Sequence, residues 1–202
     1  MRPTMNHPLQ CRCGVFRGHV VPSPTATRAV CYCNDCQAYA RYLGTTGVAD
    51  EDGGTEVVAS LPQYVHFSAG LDVLTCMSLS DGGLLRWYAS CCNTPVGNTP
   101  RNPKVPYIGL VHSCLENDLT SIESSFGKLH IAVNTKSARN NVRSTPIAST
   151  IGILRLMTAA LGAQLSGAYK HNPFFVHGGR TPVHSVRVLS EAERELVYRR
   201  DA

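Results

Sequence analysis

Between Thr55 and Val96 apolar and polar residues alternate with a period close to two, the mark of strands that bury one face. The alternation predicts strands at Glu56–Ala59, Gln63–Ser68, Val73–Leu79 and Leu84–Ala89. Leu61-Pro62, Ala69-Gly70 and Ser80-Asp81-Gly82-Gly83 separate them, and Asp-Gly-Gly is a short-hairpin signal. Strands this short and close-set point to an antiparallel sheet system. A further short strand is expected through Val15, Phe16 and Val20, and Tyr107 to Val111 is another apolar run. Glu123 to Val133 reads as a weak strand or turn region.

Later the period changes. Ser144-Thr145-Pro146 opens a helix with a hydroxyl cap and an early proline. Ile147, Ile151, Leu154, Leu161, Leu165 and Ala168 then follow helical spacing, and this stripe is expected to dock on the sheet. Ser190-Glu191-Ala192-Glu193 is a capping box for a last helix reaching Arg200. Gln37 to Leu43 predicts one or two helical turns whose Tyr39 and Tyr42 pack. Met1 to Leu9 reads as a flexible lead-in, and Thr135 to Arg143 as a solvated connector. The pattern predicts a mainly β, antiparallel core with C-terminal helices docked on it. Residues 1–135 would form that domain and 136–202 a helical extension packed on it.

Composition narrows the setting. With 202 residues, 43% hydrophobic and 16% charged, the chain has an ordinary globular balance. A net charge of +5 suits an anionic small molecule. The basic residues lie scattered among Glu and Asp, so nucleic acid is not an expected partner. Ile147 to Leu165 carries Arg155 and is broken by Ser and Thr, so no membrane span is expected. Met1 to Gln10 has no apolar core of a signal peptide, which leads to a cytoplasmic, reducing expectation. The nine cysteines cannot all pair within one chain.

The chemistry of the sequence lies in those cysteines. Cys31-Tyr32-Cys33-Asn34-Asp35-Cys36 places three thiols within one C-x-C-x-x-C run. Three thiolates on a zinc ion leave a fourth tetrahedral position for water or substrate. The backbone amides of Asn34 and Asp35 are candidates to stabilise these sulfurs. Cys11-Arg12-Cys13-Gly14 looks like half of a zinc knuckle, and Cys91 and Cys92 in the turn Ala89 to Pro95 could complete it. Neighbouring side chains on extended backbone point apart. Either Cys92 alone is the ligand, or the turn is irregular enough to use Cys91 as well. Cys76, His112 and Cys114 sit in apolar strands and read as core. Asn172 to Arg180, with His177 and Phe174-Phe175, forms either a lid over the three-thiol site or a loop joining two docked helices.

C-x-C-G, then C-x-C-x-x-C, then an aromatic-containing strand ending in a cysteine turn with Thr-Pro, resembles the glutathione-dependent formaldehyde-activating enzyme family, which includes centromere protein V. The resemblance runs from about Gln10 to Gly97. It implies an antiparallel β-tent (Mss4-like) with two zinc sites. Cys11, Cys13 and Cys92 match structural ligands, with Cys91 a substitute for the family cysteine that Ala89 replaces here; Cys31, Cys33 and Cys36 match the open, catalytic site. The implied activity is that of a carbon–sulfur lyase joining formaldehyde and glutathione to S-hydroxymethylglutathione. Arg12, Arg41 and Arg86 are the candidates to bind glutathione carboxylates. The alternative expectation is a non-catalytic zinc-stabilised module that binds a protein or nucleic-acid partner.

Overall fold

In the computed structural model, which describes residues 6–199, the strands are β1 (His7–Gln10), β2 (Arg17–Val20), β3 (Thr27–Cys31), β4 (Thr55–Ser60), β5 (Val65–Ala69) and β6 (Leu74–Ser78). They continue as β7 (Leu85–Ala89), β8 (Thr94–Thr99), β9 (Ile108–Val111), β10 (Ala132–Val133) and β11 (Val186–Val188). The helices are α1 (Asn34–Leu43), α2 (Ile122–Phe126), α3 (Pro146–Ser166) and α4 (Glu191–Tyr198). Strands β1, β2 and β5 make a small antiparallel sheet. The larger sheet runs β10-β3-β4-β9-β8-β7-β6-β11. The chain is mainly β with C-terminal helices, as the alternation implies.

The large sheet is mixed, which corrects the purely antiparallel expectation. Its two edge strands, β10 and β11, pair parallel with β3 and β6. Both come from the C-terminal part of the chain and reach the sheet by long crossovers. Two or three residues show no period, so neither strand is visible in the alternation. Central strand β8, Thr-Pro-Val-Gly-Asn-Thr, is buried at all six positions and therefore does not alternate either. Its Pro95 pairs with Tyr88 next to a register shift, where a missing N–H is tolerated.

The core lies between the sheets. Phe16 meets Phe67 at 5.1 Å between ring centroids, Phe67 meets Phe174 at 5.1 Å, and Phe174 meets Trp87 at 5.1 Å. This chain of rings ties the small sheet, the large sheet and the segment after α3 together. Trp87 Nε1 donates to Thr99 Oγ1 at 3.0 Å, so its one polar atom is satisfied inside the core.

Three expectations change. The supposed lead-in contributes β1, where His7 and Leu9 are buried; its residues Met1 to Met5 lie outside the described residues. The last helix opens with its capping box intact at Ser190 and ends at Tyr198, and Arg200 lies outside the described residues. The third change concerns α3. Its stripe does not dock: Ile147 is 78% exposed, Leu154 61% and Leu165 82%. Instead α3 meets the sheet through small residues, with Gly152 and Ala163 buried and Ala148 packed near Ile131 and Val57. A Cβ on Gly152 would come within 3.0 Å of Ile131 Cδ1 and Thr27 Cγ2, so glycine sets this approach. Among the described residues α3 is the one helix long and apolar enough, by length and composition alone, to cross a membrane.

Candidate metal centres

Cys11 and Cys13 sit in the turn that joins β1 to β2. Gly14 N donates to Cys11 O at 2.9 Å, and Phe16 N donates to Cys11 Sγ at 3.3 Å. The β7–β8 turn brings Cys91 and Cys92 to the same place. Asn93 takes φ 53°, a left-handed conformation that Asn tolerates, and this curls the turn so that both neighbouring thiols face the first pair. The irregular-turn alternative is therefore the observed one. Sγ–Sγ separations are 3.5 Å for Cys11–Cys13, 3.8 Å for Cys11–Cys91, 3.3 Å for Cys13–Cys91 and 3.8 Å for Cys91–Cys92. A disulfide would need about 2.05 Å. A tetrahedron built on metal–sulfur bonds of about 2.3 Å has edges of about 3.8 Å, so four thiolates here fit a metal ion.

The electrostatics of this cluster are shared among its sulfurs. Burial pushes the Cys11 thiol up, and burial with hydrogen bonds from Cys13 and Cys11 pushes Cys91 up. At Cys92 burial also acts upward, but the Thr94 hydroxyl, 3.1 Å away, and contacts with Cys13 outweigh it and bring the thiol to about 6. Protons must leave the remaining thiols when a metal enters.

The second cluster is local. Cys31 is the last residue of β3, Cys33 is the N-cap of α1 and Cys36 lies in its first turn. Cys33 replaces the usual hydroxyl or carboxamide cap: its Sγ accepts from Cys36 N at 3.4 Å. The three sulfurs all lie within 4.8 Å of one another and are half-buried. Helix N-termini favour negative charge, which suits thiolates at this junction. Cys31 is pulled down to about 2 by hydrogen bonds from Cys33 and Cys36, with Asn134 contributing, whereas the same bonds push Cys36 well up.

Several residues around this centre differ from their sequence assignments. The Cys36 amide reaches the Cys33 sulfur, and the Cys33 backbone bonds to Cys31. Asp35 holds the scaffold: it accepts from Tyr198 OH at 2.7 Å and pairs with Arg86 at 3.5 Å, linking α1 to α4 and β7. Arg86 is buried, donates to Asn98 Oδ1 at 3.2 Å and lies over the Tyr39 ring, so it is a structural cation rather than a surface one. Arg41 donates to the Val197 carbonyl, and Arg12 is exposed with its backbone N–H on Thr94. The 172–180 segment is not a lid. Phe174 and Phe175 are in the core, and His171 and His177 line a separate cavity with His66. Cys76 and Cys114 are buried as expected, and burial pushes Cys76 up to about 12.

Sequence reasoning missed Asn134, Thr55 and Tyr107. Asn134 follows β10 with φ 57°, and its Nδ2 donates to Cys31 Sγ at 3.3 Å. Thr55 is the register partner of Cys31 across β3–β4, and its Oγ1 is buried without a hydrogen-bond partner among the described residues. Tyr107 is pushed up to about 12 by burial first and then by the charge of Cys36 and Cys31. Only the turn-prone Asn134 left a signal, and the residues that place it beside Cys31 are about a hundred positions away.

No curated protein matches the chain. Residues 4–186 match a family of unknown function, DUF6151. That match covers most of the 202 residues and both cysteine clusters, so the chain belongs to the DUF6151 family.

Proposed function

We propose that the Cys31–Cys33–Cys36 cluster is an open zinc site of an enzyme that makes or breaks the carbon–sulfur bond of an aldehyde–thiol adduct, as in the glutathione-dependent formaldehyde-activating family. On this reading the sheets correspond to that family's β-tent (Mss4-like). Cys11, Cys13, Cys91 and Cys92 would hold a second, structural zinc, and the setting is cytoplasmic. The observation that carries the reading is the count of ligands: three thiols gather, and no fourth metal-binding side chain joins them among the described residues. Zinc so bound lowers the pKa of a thiol and offers it a coordination position. The chain's own groups do the rest. Asn134 steadies Cys31 by its amide N–H, the Cys36 N–H steadies Cys33, and the α1 N-terminus favours the cluster's negative charge. In the forward direction the thiol sulfur bonds to the carbonyl carbon, the carbonyl π bond breaks, and the thiol's proton ends on the new hydroxyl oxygen.

The test is adduct formation between formaldehyde and a panel of thiols, followed by NMR, with zinc-loaded parent and Cys33→Ala proteins. The parent should accelerate the reaction for at least one thiol and the variant should not. Equal rates for every thiol would overturn the proposal. A second reading, a zinc-stabilised binding module, is favoured by one observation, the outward-facing apolar side chains of α3. It predicts a partner bound equally by parent and Cys33→Ala proteins and lost in an Ile151→Glu, Leu154→Glu variant.

A further inference from the structure

We infer that the thiol used at the Cys31–Cys36 centre carries an uncharged, apolar side group, seated in a chamber between strands β3–β4 and helix α3. This rests on the open-site reading above and narrows its substrate class. Alternate residues of a strand share a face, so Thr27, Ala29 and Cys31 line up along one side of β3. Their register partners on β4 are Ala59, Val57 and Thr55. The chamber, of about 400 Å3, has Thr27, Ala29 and Ala59 as its floor. Ile131 and Val133 form one wall, and Gly152, Ile153 and Leu156 of α3 form the roof. Cys31 is the next residue on the floor's face after Ala29. Asn134, which lines the chamber, donates to the Cys31 sulfur. The cavity therefore reaches Asn134, the residue whose amide holds the metal-binding sulfur, and its volume lies in the small-molecule range of about 300–1,000 Å3.

No residue that lines this chamber is charged. Its polar groups are hydroxyls and one carboxamide: Thr27, Ser149, Tyr107 and Asn134. Tyr107 lies across bare backbone at Gly109, where a Cβ would stand 2.6 Å from the phenolic oxygen. Neutral hydrogen-bonding groups suit the hydroxyl or carbonyl oxygen of an aldehyde adduct. They do not compensate the desolvation of the two carboxylates and the ammonium group of glutathione. Arg86 and Arg41 are engaged in the scaffold, and Lys170, His171 and His177 line a different cavity; Arg28, Lys128 and Arg155 line an adjoining cavity that shares Thr27, Ile131 and Gly152 with the chamber but does not include Asn134.

The experiment uses the full chain loaded with cobalt(II), whose absorption reports a sulfur ligand entering the open position. Pentane-1-thiol, 2-mercaptoethanol and glutathione are titrated in turn. Pentane-1-thiol should bind at least tenfold tighter than glutathione. Ala59→Leu, which fills the floor, should weaken pentane-1-thiol about tenfold and leave 2-mercaptoethanol unchanged. Should that variant fail to fold, Leu156→Lys on the half-buried roof should weaken pentane-1-thiol and strengthen 3-mercaptopropionate. Glutathione binding as tightly as pentane-1-thiol would overturn the chamber's role while leaving the open site intact, as would an unchanged preference in the variants. No spectral response to any thiol would overturn the open site itself, and this inference with it.

Discussion

The two thiol clusters are made of the same side chain, yet the chain builds them in opposite ways. Cys11 and Cys13 stand in one hairpin turn, and Cys91 and Cys92 in another about eighty residues later; their four sulfurs lie within 4.8 Å of one another. Cys31, Cys33 and Cys36 occupy a single strand-to-helix junction that backbone hydrogen bonds and the Cys33 cap already fix. A metal in the first cluster would be a crosslink, because it would hold together turns from two different sheets that otherwise meet through contacts such as Arg12 N to Thr94 Oγ1. In the second it would have less left to hold. The separation of ligands along the chain, rather than their chemistry, distinguishes the two clusters.

The largest expected effect breaks this contrast most directly. Cys13 is exposed, and exposed side chains outside special features rarely matter by more than about 0.5 kcal/mol. As a metal ligand it closes a long loop, and by analogy with a covalent crosslink a loop of that length is worth about 4 kcal/mol. Cys13→Ser should therefore lower the melting temperature of the metal-loaded protein by about 8–16 °C. Cys36→Ser should shift it much less, while each variant retains one metal ion per chain instead of two. Equal shifts, measured by calorimetry alongside metal analysis, would erase the distinction.

Reactivity gives the next effect. Thiolates alkylate and thiols do not. In the metal-loaded protein a short pulse of iodoacetamide should spare both clusters. After chelation it should label Cys31 and Cys92 ahead of the others, since both are brought down in pKa, to about 2 and about 6. Cys76 and Cys114 should remain unlabelled until the chain unfolds, because both are buried and their thiols are pushed up. Mass spectrometry of the peptides reads the order. Early labelling of Cys76 or Cys114 would contradict the burial on which their core assignment stands.

The clusters also differ in how plainly the sequence announces them. The C-x-C-x-x-C run is legible because its ligands are local, and the pairing of Cys11 with Cys13 follows for the same reason. Use of both Cys91 and Cys92 was open, because it depends on the left-handed Asn93, which spacing does not encode. Strands β4 to β7 were readable because each keeps at least one partly exposed position within its apolar pattern. Strand β8 was not, being buried on both faces, and β10 and β11 were too short to show any period. The α3 stripe was read in the wrong direction. Helical spacing reveals an apolar face but not what covers it, and here Gly152 and Ala148 make the contact. Asn134, Thr55 and Tyr107 reach the three-thiol centre only through tertiary pairing.

The smallest expected effect concerns the anchor of the first cluster. His7 in β1 holds the hairpin that carries Cys11 and Cys13 to the rest of the core: its Nε2 donates to Leu115 O at 2.8 Å, and its Nδ1 accepts from Ser125 Oγ at 2.8 Å. The bond to Leu115 O persists in the protonated ring and acts to raise the pKa, but burial outweighs it and lowers the His7 pKa below its ordinary 6.5. The unfolded chain therefore binds a proton as pH falls through about 6.5 while the folded chain does not. Stability from this residue is complete above that value and declines below it until the folded pKa is reached. In urea titrations between pH 7.5 and 5.5 the parent should lose stability, and His7→Gln, lower at the start, should show a flatter profile. Because the anchor belongs to the β1–β2 hairpin, metal should leave the four-thiol cluster before the three-thiol one as pH drops. Identical slopes in parent and variant would remove His7 from the account and leave competition between protons and metal for the thiolates as the whole of the pH dependence.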